Sequence, residues 1–162
     1  MSTLAKTTID SERADSADAM ALIQELEEVL DPLYPSESRH GYGVEKMLRE
    51  GVDLFVLREE GVPAACGGVQ FFFQHNGEEP YGELKRMYVR PQYRGRGYAK
   101  TILNHLAAVA RERDVFLLRL ETGIYQGEAI GLYEGWGFTR IGPFGPYKND
   151  PLSIYYEKRL QD

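Results

Sequence analysis

Residues 86–100 read RMYVRPQYRGRGYAK, gathering Arg86, Arg90, Arg94, Arg96 and Lys100 around Gly95 and Gly97 with no carboxylate among them. The chain as a whole carries a formal net charge of −6, so this local surplus of cations stands out. Guanidinium groups pair bidentately with phosphate oxygens, and an ammonium acts on them as a point charge. Glycines let a ligand approach the main chain, and successive N–H groups at a turn can point outward together. The segment reads either as a solvated basic surface around a turn or as a seat for a phosphate.

Known phosphate cradles narrow the chemistry. A P-loop needs GxxxxGK[ST]; Thr101 follows Lys100, but no glycine lies where that pattern demands. The dinucleotide fingerprint GxGxxG is half met, because Lys100 stands where the third glycine belongs, although Glu121 on the next strand could mimic the ribose-binding carboxylate. An RNA-reading RNP1 segment wants an aromatic where RGRGYA has arginine. Cys66 lies on an apolar run with no neighbouring base and reads as a buried packing residue. His40, His75 and His105 have no metal-ligand spacing, so no metal is expected.

The elements that must position the basic run follow from periodicity. Leu22, Ile23, Leu26, Val29 and Leu30 have helical spacing, with Asp15 or Ser16 as N-cap and Pro32 past the end. VDLFVL (52–57) and the run from Val62 to Phe73 read as strands joined by a turn at REEG, and YGELKRMYV (81–89) as a third strand closed by Pro91. After Gly97 the period changes: Ala99, Ile102, Leu103, Leu106, Val109 and Ala110 share a helix face. The RGRG turn therefore sits where a strand hands over to a helix, and there the helix N-terminus adds about half a positive charge to the outward amides. A pyrophosphate fits such a place. VFLLRLET (115–122) completes a strand–helix–strand unit and a parallel pair, GEAIGLYEGWGF predicts a short helix ended by Gly135 or Gly137, and LSIYYEKRL a last strand. The order βα, ββ, βαβ, α, ββ describes one α+β domain with a mixed, mostly antiparallel sheet flanked by helices.

Length and composition agree with that single domain over residues 1–162. No apolar run approaches the roughly 18 residues of a membrane span, the N-terminus lacks a leader's apolar core, and one cysteine permits no internal disulfide. These features predict a cytoplasmic protein with no membrane partner. A pI near 5.2 weighs against nucleic acid as partner.

On two separated segments the chain resembles the Gcn5-related N-acetyltransferases, which use acetyl-CoA. Arg94-Gly95-Arg96-Gly97-Tyr98-Ala99 matches the family's (Q/R)xxGx(G/A) signature directly after Val89-Arg90-Pro91, and ETGIYQGEAIGLYEGWGF resembles its strand, A-I-x-L-Y helix and closing G-F. The resemblance implies the acyl-CoA N-acyltransferase fold and direct acetyl transfer to an amine of a small molecule or peptide. It assigns the amides of Arg94, Gly95, Arg96, Gly97, Tyr98 and Ala99, with the Lys100 side chain, to the CoA pyrophosphate. Met87, Tyr88 and Val89 would pair with the pantetheine arm, where the sheet should splay after a bulge near Arg86 to Tyr88. Gln126 stands where the family often has Asn. Glu83 is implied as the base that deprotonates the acceptor, Tyr133 as the acid that protonates the leaving thiolate, and the N–H of Tyr88 or a neighbour as the oxyanion donor. Tyr34, His40 and Tyr42, and the segment FGPYKNDPLS, are possible walls of the acceptor site. Such proteins often pair as homodimers through their C-terminal strands. The alternative is a non-catalytic acyl-CoA-binding or sensing module.

Overall fold

The computed structural model describes residues 4–35, 38, 43–73 and 77–161. Its elements run β1 (Thr7–Glu12), α1 (Ala17–Leu30), α2 (Val44–Glu50), β2 (Asp53–Glu59), β3 (Val62–Phe72), β4 (Tyr81–Val89), α3 (Tyr98–Glu112), β5 (Leu117–Gly123), α4 (Gly127–Trp136), β6 (Thr139–Ile141) and β7 (Ser153–Arg159). A 3-10 turn over Pro91–Tyr93 joins β4 to the RGRG segment. Each expected element is present. The addition is α2, a seven-residue helix between Gly43 and Gly51 that buries only Met47, too short and too little apolar to show a helical period.

Local chemistry explains the boundaries. Ser16 caps α1 by accepting the Ala19 N–H at 3.1 Å, which satisfies one of the helix's orphan donors. Glu60 and Gly61 both have positive φ between the paired residues Glu59 and Val62, the two-residue hairpin geometry that matches strand twist. α4 ends on Gly137 in the left-handed conformation, so of the two glycines considered it is the later one that stops the helix.

The sheet has seven strands in the order β1-β2-β3-β4-β5-β7-β6. All pairs are antiparallel except β4 with β5. α3 covers one face, where Ile102, Leu103 and Leu106 pack with Leu57, Val69, Leu84 and Leu118. α1 covers the other, where Leu22, Ile23 and Leu26 meet Leu54, Val56, Cys66 and Tyr88. Cys66 is fully buried there, and its thiol donates to the Arg86 carbonyl at 3.3 Å, in keeping with a packing role. Burial pushes that thiol up to about 12. The mixed α+β sheet expected from periodicity is the architecture found.

Candidate active site

The parallel strands β4 and β5 pair only at Gly82 with Leu118 and Glu83 with Arg119. Beyond those residues no ladder joins them, so a gap opens between two central strands. A bulge accompanies the opening: β3 and β4 slip register between Cys66 and Gly68, and Arg86 takes φ +56. The bulge turns Lys85 and Arg86 toward the same face, where Arg86 meets Glu27 of α1 at 2.5 Å. Past it the ladder resumes with Cys66 against Tyr88 and Ala65 against Val89, and the Arg90 N–H goes to the Ala64 carbonyl at 2.9 Å. Peptide groups alternate sides along a strand, so those of Tyr88, like those of Arg90, face β3, while Met87 and Val89 face the gap. Of the three residues expected to pair with the pantetheine arm, Met87 and Val89 thus turn their peptide groups to the gap and Tyr88 does not. Tyr88 reaches across the other layer instead, its hydroxyl 3.2 Å from Glu25 of α1.

At the mouth of the gap the chain enters α3. Gly95 and Gly97 have φ +80 and +79, which side-chain-bearing residues rarely adopt, and open space surrounds both. The first α3 bond runs from the Thr101 N–H to the Gly97 carbonyl, and among the described residues no acceptor takes the N–H of Gly95, Arg96, Gly97, Tyr98, Ala99 or Lys100. Arg94 differs, since its N–H is spent on the Pro91 carbonyl at 3.3 Å. Of the six amides expected to meet the pyrophosphate, those of Gly95 to Ala99 are thus unspent and that of Arg94 is not.

The basic run divides in two. Arg86 pairs with Glu27, Arg90 with Glu25 at 2.7 Å, and Arg96 with Glu59, while Arg96 also stacks on Tyr93. Carboxylates from distant segments neutralise these three. Arg94 and Lys100 are exposed and form no ion pair among the described residues; the Arg94 Nε donates to the Val89 carbonyl at 3.3 Å, on the gap side. They are the cations left for a phosphate, and the outward amides, open glycines and adjoining gap fit the pyrophosphate and pantetheine of acetyl-CoA.

A cavity of about 120 Å³ occupies the gap between the α1 side and β5. Glu83 lies in its wall, 2% exposed rather than on an open strand surface. Its Oε2 accepts from Lys85 Nζ at 3.0 Å and from the Tyr147 hydroxyl at 2.5 Å. Tyr147 belongs to the loop between β6 and β7, the FGPYKNDPLS segment, so that segment does border the cavity. Burial lowers the Lys85 ammonium below the usual lysine range, against the opposing pull of Glu83. Across the cavity stands Tyr133 of α4, 5% exposed and packed edge-on against Phe138. Burial, reinforced by Glu121, raises its phenol well above the usual tyrosine range and keeps it a proton donor.

Tyr34 and Gln126 close one end. The Gln126 Oε1 accepts the Gly123 N–H at 3.1 Å and the Tyr34 hydroxyl at 3.3 Å, and the Tyr34 oxygen accepts the Tyr125 N–H at 3.0 Å. Gln126 therefore pins the β5–α4 turn with its oxygen and keeps its amide donors for the cavity. His40, Tyr42 and His75 lie outside the described residues. Among the described residues no cluster of three His, Cys, Asp or Glu is placed to hold a metal. Neither Lys85 nor Tyr147 is singled out by the sequence, because nothing local in GPYKN announces a contact 64 residues away.

Comparison with known proteins agrees with this geometry. An IAA acetyltransferase of Azospirillum brasilense is 40% identical over 139 residues, covering 86% of this chain and 88% of that protein. N-acetyltransferase YsnE of Bacillus subtilis, itself uncharacterized, is 30% identical over 143 residues, covering 87% of this chain and 91% of its own. A solved structure from Klebsiella pneumoniae, assigned there as an acyl-CoA N-acyltransferase, superposes with a TM-score of 0.78 at 35% identity over 96% of this chain and 98% of that one. The fold is shared, at 19% identity and a TM-score of 0.68, with yncA of Salmonella typhimurium, solved with acetyl-CoA and matched over 96% of this chain and 95% of that one. Residues 20–138 match the acetyltransferase (GNAT) family, and with the outward amides of α3 beside an opened parallel strand pair the chain belongs to that family of acetyl-CoA-dependent N-acetyltransferases.

Proposed function

We propose that Glu83 is the general base and Tyr133 the general acid of a direct transfer, with the Met87 N–H as oxyanion donor. Acetyl-CoA supplies the activated acetyl group as a thioester. An alkylammonium near pKa 10.4 is neutral in about one molecule in a thousand at pH 7, so the acceptor must lose a proton before its nitrogen can attack. Glu83, at the narrow end of the gap, takes that proton and passes it to solvent. As the new C–N bond forms, negative charge grows on the carbonyl oxygen, and a main-chain N–H facing the gap stabilises it. The C–S bond then breaks, Tyr133 donates its proton to the thiolate, and the phenolate recovers one from the acylated nitrogen. No covalent acyl-enzyme is needed, because the chain's cysteine is buried with its thiol pushed up to about 12.

The observation that carries this reading is the continuity along β4: Glu83 and Met87 line the cavity with Tyr133, and just past the strand's end, where the Arg94 Nε reaches the Val89 carbonyl, stand the unpaired amides of Gly95 to Lys100. We assign the diphosphate to those amides and the pantetheine arm to the gap-facing peptides of Met87 and Val89. Gln126 offers an amide donor to the same ligand. The protein acts as one domain over residues 1–162, in the cytoplasm, on a small-molecule or peptide amine, and β6 at the sheet edge offers a route to a homodimer. No helix of the described residues is long and apolar enough to cross a membrane.

Thiol release from acetyl-CoA across a panel of amines tests the reading. IAA, from the name of the Azospirillum relative, is tested beside that panel. Saturable release with one acceptor class supports it. Calorimetric binding of CoA with no transfer to any acceptor would replace it with the non-catalytic acyl-CoA-binding module.

A further inference from the structure

Glu83, Lys85 and Tyr147 meet at a single carboxylate oxygen. The Glu83 Oε2 accepts from Lys85 Nζ at 3.0 Å and from Tyr147 at 2.5 Å, and the two donors lie 3.5 Å apart. Glu83 and Lys85 are two apart on β4, hence on one face, and both are buried, at 2% and 8% exposure. Among the described residues no group bonds the other oxygen, Oε1, and it is not a buried orphan. A carboxylate gripped at one oxygen in this way has one orientation and one oxygen left to accept a proton.

The grip has its own support. Tyr147 is carried by a loop anchored in an aromatic cluster: its ring lies 5.2 Å from Phe144 and 5.6 Å from Tyr155, and Phe144 packs edge-on against Tyr81, two residues before Glu83. The Arg119 guanidinium, on the strand paired with Glu83, stacks 4.6 Å over Tyr81 and is itself paired to Glu157. The position of the phenol thus reports the packing of the β6–β7 loop against the start of β4.

We propose that Lys85 and Tyr147 are positioning residues that hold Glu83 by Oε2 and leave Oε1 as the atom that takes the acceptor's proton. The proposal rests on the reading of Glu83 as the base. Lys85 Nζ and the Tyr147 hydroxyl both donate to Oε2, so a cation and a neutral donor act on the same carboxylate oxygen. Other charged groups on the surrounding elements are Lys46 and Glu50 of α2, Glu27 of α1 with its partner Arg86, and Glu121 and Arg119 of β5. Arg86 and Arg119 have their own carboxylates, and Glu121 accepts from Ser153 at 2.7 Å. Lys85 is the cation in direct contact with Glu83.

The test is the pH dependence of kcat/KM for wild type, Lys85→Met, Lys85→Arg, Tyr147→Phe and Glu83→Gln, with one acceptor and with melting temperatures recorded alongside. The expected result is an acid limb moved up by about one pH unit in Lys85→Met, a smaller upward move in Tyr147→Phe, and recovery of the wild-type limb in Lys85→Arg. KM for acetyl-CoA should stay within about twofold throughout, since neither residue touches the phosphate seat. If Glu83→Gln loses activity but the limb stays in place in both Lys85→Met and Tyr147→Phe, the positioning proposal is overturned and the base assignment stands. If Glu83→Gln retains full turnover, the base assignment falls and the proposal falls with it. Should Lys85→Met fail to fold, Tyr147→Phe, which removes one oxygen from a half-exposed loop, decides the question by the same limb.

Discussion

The hydroxyl of Tyr34 lies 1.9 Å from the position a Cβ would occupy on Gly123. The side chain that follows α1 is thereby pressed against bare backbone at the end of β5, where its oxygen accepts the Tyr125 N–H and its proton goes to Gln126. Gly123 is required here for room, since its φ is not among the positive values. Gly123→Ala must expel the ring, at a cost of about 1–3 kcal/mol. Urea unfolding measures it, and a double-mutant cycle with Tyr34→Ala should recover most of the loss, because the truncated side chain leaves space for the methyl group.

Tyr133→Phe keeps the ring's packing on Phe138 and removes the proton donor. On the proposed role, kcat falls by about 10²-fold while KM for acetyl-CoA changes by less than about twofold. The pH profile has a definite sign. Because burial and Glu121 raise this phenol above the ordinary value of about 10, it remains protonated, and so competent as an acid, throughout the range below that value. The wild-type enzyme should show no basic limb attributable to Tyr133 below about pH 10. A limb near pH 8 that vanishes in Tyr133→Phe would contradict the burial of this group.

The division of the basic run predicts two kinds of arginine variant. Arg94→Ala and Lys100→Ala should each raise KM for acetyl-CoA by about three- to tenfold at low salt, with less effect at high salt, as expected for exposed charges on phosphate. Stability should be unchanged within about 0.5 kcal/mol. Arg90→Ala breaks the pairing to Glu25 and the Nη1 bond to the Pro63 carbonyl, and should lower stability by about 1 kcal/mol with little change in cofactor affinity. Initial-rate kinetics with thermal melts separates the two classes.

Gly97→Ala tests the seat through its backbone. At φ +79 a Cβ costs about 1–2 kcal/mol, and no neighbour obstructs it, so the strain is conformational. The helix start should relax away from the geometry that aligns the amides, raising the calorimetric dissociation constant for CoA by about tenfold. Gly127→Ala, at the first position of α4 with open space around it, serves as a control that leaves CoA affinity in place.

Much of this protein is written locally. The α1, α3 and β2 to β4 elements follow from apolar spacing, the hairpin and helix stops from glycine and proline, and the exposed turn proposed as the anion seat from its glycines between a strand and a helix. Each depends on φ, ψ and burial demands felt within a few neighbours, and those survive in a linear reading. The helix α2 escaped because one buried methionine in seven residues sets no period.

Tertiary structure alone decided which charges are available. Arg90 and Glu25 are 65 residues apart, Arg96 and Glu59 37 apart, and Tyr147 and Glu83 64 apart. Whether such groups meet depends on how layers stack across the sheet, and Coulomb attraction at a few ångströms carries no trace in sequence spacing. For the same reason RMYVRPQYRGRGYAK raised the expectation of an anion seat, but only the fold revealed that three of its five cations are already spoken for and that Tyr88 turns its peptide groups away from the gap. The residue types in that run were enough to imply the chemistry, and the through-space pairings settled which of their atoms are free to take part in it.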